Sequence, residues 1–457
     1  MGLRAHRRTA RRATAATTEL TSETGDFVMP ARWNGWTTAS TAANSRRDLQ
    51  HQQLVRGSGC ELWDLHGRCY LDGVAGAANT PFGHAHPRIT EAVTAHLRQL
   101  AHVDETLAAQ QPAEELIDAL ADLTGLDDFV FVNSGSEAIE AAIRIAMDYW
   151  CHRGQPHRDT IIAFARGYHG CTALAAALSG LPILHTEWAP APRIQHVELT
   201  TENHPDQPGA ATALADAFAA AITAAGPQRV AAVIVEPFLN VGGAIVLPDG
   251  SLNELRTVTS SFDTLMIVDE VFTGFGRSGS AAFAINAMPT PPDILAISKG
   301  MTNGVVPMGA TCLRRSIRDE FGDALLRYGH TTSGHGLACA AALATIDLLR
   351  TDGLAHAAAT ADWFATNFRQ CLRASGIVDL RTYGAVGVAE CDTVERAVAI
   401  AADARRGSSG GLIVGCKQNA LMLTPALNAT PQQLARMAAE LNLAIANVEI
   451  YGRSVHA

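Results

Sequence analysis

The stretch FVFVNSGSEAIEAAIRIAMDYW, residues 129–150, changes rhythm after its fourth residue. Phe129 to Val132 is an unbroken apolar run, Asn133 to Ser136 interrupt it, and from Glu137 onward apolar residues recur at helical spacing. A strand, a polar turn and a helix in succession form half of a β-α-β unit. Similar apolar runs return as TIIAFA (160–165), RVAAVIVEP (229–237), TLMIVDE (264–270), DILAIS (293–298) and MGATCL (308–313). Strands covered on both faces read this way, because neither face keeps polar residues. The expectation is therefore an α/β fold: a large αβα domain, residues 86–335, around a mostly parallel central sheet.

The flanking segments have a different texture. CELWDLHGRCYLDGVAG (60–76) reads as a hairpin around His66-Gly67 within an N-terminal segment, 31–85. GHGLACAAALATIDLL (334–349) reads as a long apolar helix that leads into 336–457, where IVDLRTYGAVGVAE gives strands and PQQLARMAAELNLAIANV a helix. Together these N- and C-terminal segments are expected to build a smaller α+β domain. Residues 1–30 are Arg-, Thr- and Ala-rich without an apolar core, and are read as a disordered basic tail, with Met29 a second candidate start.

Composition narrows the function. The chain has 457 residues, 47% of them hydrophobic, with a formal charge of -10. Positive charge is spread thinly beyond the tail, which excludes a nucleic-acid surface and favours small-molecule partners. No apolar run approaches the roughly 20 residues of a membrane span. Nine cysteines, an odd number without C-x-x-C pairs, read as reduced thiols of a cytoplasmic protein.

Ligands of α/β sheets gather at the carboxyl ends of strands, so polar residues directly after apolar runs draw attention. Ser134 and Glu137 are spaced as a capping box; Gly135 and Ser136 would let helix N–H groups approach a phosphate, although an ordinary helix start reads the same way. Asp269 and Glu270 end a core strand, where carboxylates need partners: a salt bridge to Arg277, or the protonated ring nitrogen of a cofactor. Tyr168 and His169 follow another strand, and an aromatic there belongs to the core or stacks on a flat ring. Lys299 ends PPDILAISK (291–299) in a chain whose 35 Lys and Arg residues include only two lysines, Lys299 and Lys417. Where arginine serves nearly every ordinary positive charge, a retained lysine points to chemistry that only an amine performs: a Schiff base. Together these groups are what a pyridoxal phosphate site needs.

The segments FVNSGSEAIEAAIRIA, GYHG, VAAVIVEP, IVDEVFTGFGRSG, PDILAISKG, PMGA and HTTSGHGLACAAALATIDLL resemble the class III, or ω-aminotransferase, group of fold type I pyridoxal-phosphate enzymes, in that family's order from about residue 56 onward. The resemblance implies that Lys299 forms the Schiff base and shuttles a proton, while Asp269 holds the pyridinium nitrogen. Tyr168 would stack on one ring face and Val271 press on the other, with His169 beside the ring and Glu236 behind it. Gly135 and Ser136 would bind the phosphate, joined by Thr331 from a second copy, so the resemblance implies a homodimer with shared sites. The implied reaction moves an amino group from a primary amine or ω-amino acid to a keto acid or aldehyde. An aminomutase, epimerase or decarboxylase on the same fold is the alternative, and a non-catalytic pyridoxal-phosphate-binding module is a further one.

The chain departs from the family where many members bind a substrate carboxylate. The loop EPFLNVGG carries Leu239 and Val241 in place of the usual Gln and Glu. Gly415 stands where several members have a mobile arginine, and Ala426 replaces a proline. Arg166 and Lys417 are the candidate substitute cations. Ala77 and Ala78 occupy positions near which several members have a bulky aromatic, implying a roomier pocket. Trp33 and Trp36 belong to a segment that often lines the entrance. His84 and His86 in GHAHP match a structural turn of the family, so no metal is expected.

Overall fold

The computed structural model describes residues 53–454 apart from 186–191, 201, 203, 373–375 and 408–409. From Leu54 onward the chain forms one compact unit. Its centre is a seven-stranded sheet: β1 (Asp128–Val132), β2 (Thr160–Phe164), β3 (Arg193–Val197), β4 (Val230–Val235), β5 (Leu265–Asp269), β6 (Ile294–Ile297) and β7 (Gly309–Leu313), in the spatial order β1-β7-β6-β5-β4-β2-β3. β7 runs antiparallel to both of its neighbours, whereas β6, β5, β4, β2 and β3 pair in parallel. The expected mostly parallel sheet is thus present, with one strand reversed.

The continuous apolar runs follow from burial on both faces. Along β2, Ile161 and Ala163 enter one core and Ile162 and Phe164 the other; along β4, Ala232 and Ile234 oppose Val233 and Val235. Each fully buried Val, Ile or Phe contributes about 1.5–3 kcal/mol, so a sheet covered on both sides gains from every residue of a strand. β3, at the edge, is half-exposed over Ile194–His196 and lacks such a run, which is why it escapes a reading based on apolar continuity.

The helix α1 (Gly135–His152) follows β1, and α2 (Gly336–Leu348) packs its Ala338, Ala341, Ala342 and Ile346 into the core beneath the sheet. The hairpin Glu61–Asp64/Cys69–Asp72 turns at Leu65–Arg68, and its second strand pairs in parallel with Leu412–Ile413. N- and C-terminal segments therefore share a sheet and an apolar cluster containing Cys60, Leu71, Phe364, Leu412 and Leu441. A second four-stranded sheet joins Ile377–Tyr383 and Val386–Cys391 to Ala420–Leu423 and Gly415–Lys417.

Candidate active site

Register brings the chemistry together. Val268 on β5 lies opposite Val235 on β4 and Leu295 on β6, so the three strands end side by side. Glu236 follows β4, Asp269 closes β5, and Ser298 and Lys299 follow β6. β1 ends beside them through β7, and its turn delivers Ser134, Gly135 and Ser136. A cavity of about 170 Å³ opens at these strand ends. Its wall contains Gly135, Ser136, Tyr168, His169, Glu236, Asp269, Val271 and Lys299, together with Asn240 and Phe272.

The turn before α1 is built as its spacing implies. Ser134 Oγ accepts from the Glu137 N–H at 3.2 Å, and Glu137 reaches back to accept from the Asn133 N–H at 2.7 Å. The first N–H groups of a helix have no intrahelical acceptor, so this turn faces the cavity as an anion seat. Ser136 Oγ accepts from the Cys171 N–H at 3.1 Å, which leaves its own proton to donate into the cavity. Gly135 has to be glycine here: a Cβ would fall 2.7 Å from Val271 Cγ1.

Asp269 is 6% exposed. Its Oδ2 pairs with His169 Nδ1 at 2.9 Å and its Oδ1 accepts from the Val271 N–H at 3.0 Å. Burial pulls the His169 imidazole toward neutrality, but the hydrogen bond and charge of Asp269 more than offset this and raise its pKa. Glu236 accepts from the Tyr168 N–H at 2.7 Å; burial pushes its carboxyl up to about 8, against the pull of the His169 charge. Arg277 pairs with neither strand-end carboxylate. Its Nη1 donates to the Ala385 and Pro425 carbonyls at 3.0 and 2.7 Å. Glu270 is satisfied by Thr273 Oγ1 and the Ala284 and Ile285 N–H groups, and burial pushes it up to about 7.

Lys299 has φ of +31°, rare for a residue with a side chain. Both sides of this strained turn are tied down. Ser298 Oγ donates to the Met308 carbonyl at 2.6 Å; Asn303 accepts from the Phe82 N–H at 2.8 Å and donates to the Gly83 carbonyl at 2.9 Å. Strain held this way is a feature of functional positions. Burial lowers the Lys299 pKa, partly countered by Asp269 and Glu236, so the amine is closer to its nucleophilic form.

Other expected residues fall elsewhere. Thr331 is exposed and outside this cavity; its carbonyl pairs with His102 Nε2 at 2.7 Å. Arg166 lines a different cavity, of about 470 Å³. Lys417 is half-buried at the end of its strand. Ala78 is buried behind the wall, against Phe238 and Phe272. Gly76 and Ala77 instead line a neighbouring cavity that also touches Gly135 and Lys299. Trp33 and Trp36 lie outside the described residues. His84 Nε2 pairs with Asp72 Oδ2 at 2.8 Å, and among the described residues no group of His, Cys, Asp and Glu could hold a metal ion. Two features carried no sequence signal: Asn240 in the wall, and the left-handed turn Ala75–Ala78, with φ between +44° and +66°. Such a turn costs about 1–2 kcal/mol per non-glycine residue, and Asp72 supports it by accepting from the Val74 and Gly76 N–H groups.

A carboxylate fixed by histidine, an aromatic, an anion seat and a strained, half-buried lysine meet in one cavity, and a sequence profile of aminotransferase class-III matches residues 42–445. The chain belongs to the class-III aminotransferase family. It is 34% identical over 326 residues to a probable mitochondrial γ-aminobutyrate transaminase 2 of Oryza sativa subsp. indica, covering 68% of this chain and 65% of that one. It is 33% identical over 314 residues to the putrescine–pyruvate aminotransferase of Pseudomonas aeruginosa, covering 65% and 67%. The chain thus matches about two thirds of the length of these relatives. An amine transaminase from an uncultivated Pseudomonas species, solved in its PLP-bound form, superposes with a TM-score of 0.84 at 26% identity over 92% of this chain and 99% of that one.

The fold is therefore fold type I and the family's cofactor is pyridoxal phosphate. The donor set fits that group. A seat of N–H groups and a free hydroxyl proton matches a phosphate, Asp269 matches a protonated ring nitrogen, and His169 Nε2 is buried without a partner beside them.

Proposed function

We propose that this aminotransferase moves an amino group from a primary amine or ω-amino acid to a keto acid or aldehyde, working as a cytoplasmic homodimer. Pyridoxal phosphate supplies an aldehyde that captures the amine and a ring that takes up electrons when the C–H bond breaks. Lys299 would hold the cofactor through its Nζ and, as a free amine, would serve as the group that moves the proton. Asp269, oriented by His169, keeps a proton on the ring nitrogen. Gly135 and Ser136 would hold the phosphate, Tyr168 and Val271 would contact the ring, and Thr331 would serve the neighbouring subunit's phosphate. Exposure of Thr331 outside its own chain's cavity supports the shared site, and no described helix is long and apolar enough to cross a membrane.

The observation that carries this reading is the meeting of Lys299, Asp269 and Glu236 in one cavity. The test is Lys299→Ala: we expect loss of borohydride-trapped cofactor and at least a thousandfold fall in turnover, about the scale of a lost acid-base group. Full turnover in that variant would sink the proposal. Purified enzyme mixed with amine alone should accumulate pyridoxamine phosphate, as a transaminase must and an epimerase or decarboxylase need not.

A further inference from the structure

The cavity wall holds one polar side chain that cofactor binding leaves unused. Asn240 is 7% exposed, lines the cavity, and its Oδ1 has no hydrogen-bond partner. A buried amide oxygen without a partner is costly unless a ligand completes it, and rotation by half a turn presents either the oxygen or the NH2 group. Its neighbours turn elsewhere: Leu239 is wholly buried in the core, and Phe238 packs against Phe272 and Tyr383. The polar reach of this loop into the cavity thus belongs to Asn240.

The same loop meets the strand end that carries the chain's second lysine. A Cβ on Gly242 would fall 1.9 Å from the Arg166 carbonyl, and one on Gly243 would fall 2.5 Å from Arg166 Nη2. That guanidinium donates to Gln418 Oε1 at 3.1 Å, one residue beyond Lys417. Opposite Lys417 across the strand pair is Ala420, which packs with Ala78, Phe238 and Phe272 beside the cavity. Arg166 is therefore engaged in joining loop to strand, while Lys417 has no carboxylate within ion-pair distance among the described residues. Its charge nevertheless reaches Lys299, whose pKa it helps to lower, and burial pulls its own pKa down. A desolvated ammonium without a counterion favours an anion that arrives with the substrate.

We propose that Asn240 and Lys417 together read a carboxylate on the amino donor, so that the preferred donors are ω-amino acids rather than simple amines. The inference rests on the aminotransferase reading above. Asn240 donates from its NH2 group and Lys417 supplies the charge. An ammonium on a flexible stem lacks the fixed fork of a guanidinium, so donors differing by a methylene or two should be accepted together.

The test is single-turnover conversion of the holoenzyme by δ-aminovalerate and by n-pentylamine, paired with calorimetric binding of valerate, which cannot react. We expect wild type to favour δ-aminovalerate. Lys417→Met should cut that preference by about 10- to 100-fold, the scale of a charge-assisted hydrogen bond. Lys417→Arg should restore most of it, Asn240→Ala should lower it, and valerate affinity should fall about tenfold in Lys417→Met. A preference ratio unchanged in Lys417→Met overturns the proposal, even if both rates drop, because a merely structural role lowers both together. If wild type converts neither donor, the proposed donor class of primary amines and ω-amino acids fails instead. Valerate affinity then decides alone: loss in Lys417→Met supports the carboxylate site, and no change overturns it.

Discussion

Glu236 is the residue whose removal should change the pH dependence of the cofactor-free protein. Its carboxyl is held at about 8 against an ordinary 4.5, first by burial, and it sits 4% exposed beside Asp269. Between those two values the unfolded chain has released its proton and the folded one has kept it. The folded state then binds more protons, so its stability falls as pH rises from about 4.5 to about 8. The gap sets a ceiling of about 5 kcal/mol, at 1.36 kcal/mol per pH unit. Sharing of charge with Asp269 and His169 keeps the expected loss below that ceiling. Glu236→Gln keeps the shape and accepts from the same Tyr168 N–H but does not titrate. Thermal unfolding of the two apoproteins from about pH 5 to about pH 9 should show wild type losing stability more steeply. Glu270, raised to about 7, titrates in both proteins and cancels in the comparison. Parallel pH profiles in wild type and Glu236→Gln would refute the assignment of a neutral carboxyl to this position.

Three further outcomes follow from the geometry. Gly135→Ala sets a Cβ 2.7 Å from Val271 Cγ1 at the mouth of the anion seat, and overpacking of about 1–3 kcal/mol should weaken pyridoxal phosphate binding at least tenfold in an equilibrium titration. Asp269→Asn removes the charge that faces His169 and, in our reading, the cofactor ring; turnover should fall by about a thousandfold or more while His169, followed by NMR, titrates lower than in wild type. Arg277→Met leaves the Ala385 and Pro425 carbonyls without their donor and should destabilise the fold by about 1–3 kcal/mol, read as a lower unfolding temperature with the cavity residues intact.

What the sequence discloses here depends on how many residues share a physical constraint. Strands β1, β2 and β4 to β6 are legible because burial leaves an apolar run of four to six residues in each, and β7, GATCL, carries the same signal broken at Thr311. Strand β3, with Ile194–His196 half-exposed and Gln195 and His196 in mid-strand, loses it. Lys299 is legible for another reason: arginine serves almost every other positive position, so a single lysine after a core strand stands out by composition alone. Single residues placed by the meeting of distant segments leave no such trace. Arg277 reads as a partner for Asp269 or Glu270, yet it bonds carbonyls more than a hundred residues later. Ala75, Ala77 and Ala78 give no hint of a left-handed turn, because alanine disfavours that backbone and the support comes from Asp72, outside the turn. Asn240 is the sharpest case. In sequence it is an unremarked polar residue between two apolar departures from the family pattern, and only the cavity shows that its amide oxygen has no partner. Taken one by one, the departures at Leu239 and Val241 and the missing arginine at Gly415 are pure losses. On our proposal that Asn240 and Lys417 together read the donor's carboxylate, they become a substitution of one anion-reading device by another, and donor selectivity is the property that should separate this chain from its arginine-bearing relatives.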